Sequence, residues 1–135
     1  MRLSGLTLTA AGLAGLAVTS TGCILTHDDG TLPAGALSLA WTVESSTSPA
    51  ACDDANADTL AVDIYDMAGN RVTTEHAPCE DFVMTIVLDP GSYSLDLTLV
   101  DANDQAVTTT LSIDTTVRYD AETDIDIDFP STSFL

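Results

Sequence analysis

Phe82-Val83-Met84-Thr85-Ile86-Val87-Leu88, then Asp89-Pro90-Gly91, then Ser92-Tyr93-Ser94-Leu95-Asp96-Leu97-Thr98-Leu99: this stretch decides the fold class. On both sides of Asp-Pro-Gly the apolar residues recur at every second position. That is the period of a pleated strand, whose side chains alternate between two faces. Phe82, Met84, Ile86 and Leu88 form one inward face, and Tyr93, Leu95, Leu97 and Leu99 form another. Val83 and Val87 make the first strand apolar on both sides, which predicts a central place in a sheet. Pro90 presets φ at the second position of a tight turn and Gly91 accepts positive φ at the third. Strand, turn, strand is the expected order.

The same period holds outward. Upstream, Leu37-Leu39-Trp41-Val43 and Leu60-Val62-Ile64 alternate, and a turn over Asp66-Met67-Ala68-Gly69-Asn70 leads to a short strand around Val72. Downstream come a turn at Asp101-Ala102-Asn103-Asp104, a strand through Leu111 and Ile113, and Ile125-Ile127-Phe129. Residues 65–72 and 100–107 echo each other, because Asp and Asn favour turn positions. After the first 22 residues no stretch keeps a 3.6-residue apolar repeat. About seven short strands with turn signals between them predict an all-β fold, a single antiparallel β-sandwich.

At 135 residues the chain has room for one domain. Its 45% hydrophobic and 18% charged residues suit a globular core, but its charge is one-sided: 21 acids, three arginines and no lysine. All the acids follow Cys23, and Arg2 precedes it, so the chain beyond residue 22 carries 2 − 21 = −19 with neutral histidines. A surface of that sign repels phosphate backbones, which excludes nucleic acid as a partner.

The chain opens with Met1-Arg2 and an uncharged run from Leu3 to Val18. Sixteen residues are short for a membrane span of about 20 but suit the apolar core of an export signal. Ser20-Thr21-Gly22-Cys23 follows, and it resembles the lipobox of bacterial lipoproteins, in which a small residue precedes a cysteine that is lipidated. The resemblance implies a signal peptide over 1–22, cleavage before Cys23 and a diacylglycerol thioether with palmitate-type acyl chains on Cys23. Residues 23–35 then read as a tether, punctuated by Gly30, Pro33 and Gly35, and 36–135 as the sandwich. Asp is absent directly after Cys23, which by resemblance to enteric sorting points to the outer membrane.

With Cys23 lipidated, Cys52 and Cys79 remain as an even pair in an oxidising compartment, where a disulfide is expected. The rival is a metal site from His76-x-x-Cys79 with Cys52, although zinc wants four ligands and Cys52 has no near partner.

Leu88-Asp89-Pro90-Gly91-Ser92-Tyr93-Ser94-Leu95, running into Leu99-Val100-Asp101-Ala102, resembles the hairpin of prealbumin-like domains of the carboxypeptidase-regulatory and adhesin-stalk kinds. The resemblance implies a prealbumin-like or Ig-like sandwich used as a non-catalytic accessory, stalk or binding module.

Two acidic clusters offer the alternative, a divalent-cation site for calcium. Asp124, Asp126 and Asp128 alternate along a strand, so they stand about 6.8 Å apart in a ladder, whereas calcium wants six to eight oxygens at 2.3–2.6 Å. Such a ladder also serves to keep other strands off an exposed edge. Asp53, Asp54 and Asp58 lie together in what reads as a loop, where carboxylates can curl round an ion or simply be solvated. No Ser-centred nucleophile elbow or His-based metal motif occurs, and His27 and His76 are isolated, so no enzyme is expected. The expected role is therefore a lipid-anchored envelope module that meets an envelope protein or glycan.

Overall fold

A computed structural model describes residues 33–135. The signal segment 1–22, Cys23, His27 and most of the 23–35 tether lie outside the described residues. Seven strands form two packed sheets: β1 (Gly35–Val43), β2 (Thr59–Asp66), β3 (Arg71–Pro78), β4 (Val83–Leu88), β5 (Gly91–Val100), β6 (Leu111–Val117) and β7 (Glu122–Phe129). One sheet has the order β4-β1-β7 and the other β3-β2-β5-β6. The fold is an all-β sandwich.

Its core is the set of alternating residues. Leu37, Leu39, Trp41 and Val43 of β1 face Leu60, Val62 and Ile64 of β2 and Leu95, Leu97 and Leu99 of β5, with Phe129 closing one end; all are buried. Each such side chain contributes about 1.5–3 kcal/mol through removal from water. Trp41 also donates its indole N–H to the Cys79 carbonyl at 3.0 Å, so its one polar atom is satisfied inside the core.

β1 and β7 run parallel, with Leu39 beside Ile125 and Trp41 beside Ile127, whereas every other ladder is antiparallel. The chain leaves β6 in one sheet and enters β7 in the other at the same end where β1 begins. Gly35 is packed there against the β6–β7 turn, where a Cβ would fall 2.2 Å from the Arg118 carbonyl oxygen. Glycine is required for that approach.

Three sequence expectations need correction. β4 is an edge strand, not a central one: its inward Ile86 and Leu88 are buried, while Val83 and Val87 are 53% and 68% exposed. Apolar residues on both faces did not imply cover on both faces. Phe82 lies outside β4, at φ 56°, capping the 3-10 turn Cys79–Asp81 and packing on Trp41 at 6.4 Å between ring centroids. Asp89-Pro90-Gly91 is not a hairpin turn. It is a corner that carries the chain from β4 in one sheet to β5 in the other, and Gly91 already belongs to β5. The Tyr93 hydroxyl secures this corner by donating to the Asp89 carbonyl at 2.6 Å.

The echoed turns share one design. Asp66 accepts from the Ala68 and Asn70 amides, and Asp101 from those of Asn103 and Gln105, all at 2.8–3.0 Å. The residue three further on takes positive φ in each: Gly69 at 80° and Asp104 at 60°. Turn chemistry accounts for the likeness.

Candidate functional site

The end of the sandwich remote from Gly35 carries most of the non-strand structure. A short helix, α1 (Pro49–Asp54), crosses it, and Cys52 on α1 is joined to Cys79 by a disulfide with Cα atoms 6.0 Å apart. Both cysteines are buried. The metal alternative through His76, Cys79 and Cys52 is therefore overturned, since both sulfurs are bonded to each other and His76 is exposed on β3. Six residues are too few for a visible helical period, which is why α1 could not be read from the alternation.

Asp53 and Asp54 sit at the end of α1 rather than in a loop, and they point into different places. Asp53 and Asp58 line a cleft of 270 Å³ with Thr59, Pro78 and Glu80. Asp54 lines a separate cleft of 470 Å³ with Phe134 and Leu135. Asp58 is occupied locally, accepting from the Thr59 hydroxyl at 2.9 Å, while its backbone joins Val100 and Cys79.

Asp124, Asp126 and Asp128 stand in a row on the outer face of β7, an edge strand. Opposite them on β1 are Ser38, Ala40 and Thr42. Asp128 is structural: its carboxylate accepts from the Thr42 hydroxyl at 2.6 Å and the Ser45 amide at 2.8 Å. These bonds hold the tight turn after β1, in which Glu44 and Ser45 both take positive φ (50° and 63°). Among the described residues, no three His, Cys, Asp or Glu side chains gather closely enough to hold a metal ion.

Two arrangements were not legible beforehand. On the outer face of the four-stranded sheet Asp63 and Asp96 are directly opposed across β2 and β5. Like charges so placed repel, and each has a compensating donor. Asp63 accepts from the Thr74 hydroxyl at 2.5 Å with Arg71 at 3.8 Å, and Asp96 accepts from the Ser112 hydroxyl at 2.6 Å. The other is Tyr93, which lines an open cleft of 720 Å³ with Met67, Arg118 and Asp124 at the Gly35 end. Burial pushes its phenol pKa up from 10.0, and the nearby Asp89 and Asp66 charges push it the same way. The site is a corner whose tyrosine stays protonated, which suits a donor of structure.

No protein-family model and no curated protein sequence matches the chain.

Proposed function

We propose that the chain is an exported lipoprotein of the cell envelope, anchored through lipid on Cys23 in the outer membrane, whose sandwich is a non-catalytic binding or structural module. The observation that carries this reading is Ser20-Thr21-Gly22-Cys23 at the end of an uncharged run, followed closely by a fold that begins at Gly35. The Cys52–Cys79 disulfide supports an oxidising compartment outside the cytoplasm. The space between the sheets is filled by apolar side chains, which leaves the outer faces and the two ends for recognition of an envelope protein or glycan. A prealbumin-like assignment rests on the sequence resemblance around Pro90-Gly91-Ser92-Tyr93 alone, since that segment forms a corner between the two sheets and not the hairpin that the resemblance implied.

The test is cellular. Palmitate labelling and mass spectrometry of the mature protein should find Cys23 as the acylated first residue, and Cys23→Ser should release the protein from the membrane fraction. An unmodified N-terminus near Val18, or membrane association untouched by Cys23→Ser, would overturn the proposal.

A further inference from the structure

The sandwich has four strand edges, and three are guarded by charge. β7 carries Glu122, Asp124, Asp126 and Asp128; β3 carries Arg71 and Glu75 and ends in Pro78; β6 carries Asp114. These are the devices that keep foreign strands away. β4, Val-Met-Thr-Ile-Val-Leu, has no charged residue and no proline, in a domain whose net charge is strongly negative.

The register shows which backbone groups β4 offers. The Trp41 amide donates to the Phe82 carbonyl, and the β1–β4 ladder continues from Ala40 opposite Val83 to Gly35 opposite Leu88. In an antiparallel pair, bonded and non-bonded positions alternate. Phe82, Met84, Ile86 and Leu88 therefore turn their N–H and C=O groups toward β1, and Val83, Thr85 and Val87 turn theirs away. Among the described residues, no backbone partner takes up the groups of Val83, Thr85 and Val87. Their side chains lie on the exposed outer face.

We propose that β4 is a self-association edge, which pairs with β4 of a second copy of this chain across a two-fold axis through Thr85. The sequence of the edge is its own complement. With Thr85 opposite Thr85 of the other copy, each Val83 meets a Val87 and each Met84 meets an Ile86. All three outward-facing positions then fall on bonded pairs, giving about six new ladder bonds. Thr–Thr pairs are favourable cross-strand neighbours, and the branched Cβ of valine suits a pleated surface. A two-fold contact is closed, so pairing stops at the dimer. No carboxylate lies within β4 itself; Asp81 and Asp89 flank its two ends and fall opposite one another across the two-fold axis, so added salt, which screens that repulsion, should strengthen the pairing. One short edge is small beside the roughly 1,200–2,000 Å² of stable interfaces, so the pair forms at high local concentration.

The experiment uses the purified full chain in detergent, with mild oxidation and peptide mapping of the linked species. Cα atoms of a bonded antiparallel pair lie about 5.5 Å apart, within disulfide reach. Thr85→Cys should give a mapped 85–85 link at least tenfold above the self-link of Val83→Cys, whose copies lie roughly 14 Å apart in this register. Val83→Cys combined with Val87→Cys should restore linking, as 83–87. Light scattering up to about 1 mM protein should show the mass rising toward the dimer, and Thr85→Lys should return it to the monomer without altering the melt. Equal self-linking of the two single variants would overturn the proposal, as would a monomer at all concentrations without an 85–85 link. Slow amide exchange at Val83, Thr85 and Val87 in a monomer would also overturn it, by showing that another segment of the same chain occupies the edge.

Discussion

Breaking the Cys52–Cys79 bridge should lower the melting temperature by about 16 °C. The bond joins α1 to the 3-10 turn before β4, across a sequence separation of 27. In the chain-entropy treatment a loop of that length removes about 12 cal/mol/K from the unfolded state, or about 3.5 kcal/mol at 25 °C. For about one hundred described residues, an unfolding entropy near 2.1 cal/mol/K per residue converts this to about 16 °C. The perturbation is the double change Cys52→Ala and Cys79→Ala, because serine would bury two hydroxyls where both sulfurs are now buried. Trp41, the sole tryptophan, reports the region directly, since its indole bonds to the Cys79 carbonyl. Its fluorescence should follow a single cooperative melt in both proteins, with far-ultraviolet circular dichroism of the sheets unchanged below the transition. A fall of less than about 5 °C would refute the reasoning: the reduced chain would then already hold α1 against the turn, and the covalent link would remove little freedom.

Tyr93→Phe should cost about 1 kcal/mol at neutral pH by removing the corner bond to Asp89. Because the folded pKa of Tyr93 lies above its unfolded value, this contribution is full below pH 10 and is lost as pH rises through the folded value. Wild type and variant should therefore converge in alkaline melts; a constant gap would count against the assignment. Asp128→Ala should cost about 1 kcal/mol in chemical denaturation, because the Thr42 and Ser45 donors lose their acceptor. Asp124→Ala and Asp126→Ala should fall within about 0.5 kcal/mol of wild type, and equal losses at all three would dismiss the turn-holding role. Sodium chloride should raise the melting temperature of so acidic a domain by screening repulsion. Calcium at matched ionic strength should do no more, and a calcium-specific rise of several degrees would reveal a real cation site.

The alternation of Leu37 to Val43, Leu60 to Ile64 and Tyr93 to Leu99 was sufficient to assign strands and the faces they bury. A side chain's face depends only on a period of two, which is local. The Asp66 and Asp101 turns were legible for the same reason, since each aspartate captures amides two and four residues on. Cysteine parity named the bridge that the structure contains, and the spacing of Asp124, Asp126 and Asp128 placed them in a row along one face. Which strand lies beside which is a different kind of fact. It depends on how two apolar faces close over one another and on where the chain crosses between them, and those contacts are distant in sequence. Hence β4, apolar on both faces, could not be told from a central strand until its outer face was seen uncovered. The corner at Asp89–Gly91 could not be told from a hairpin, because proline, glycine and tyrosine serve both and only sheet membership separates them. The parallel pairing of β1 with β7, and the opposition of Asp63 and Asp96, likewise rest on long-range register, which no local pattern encodes.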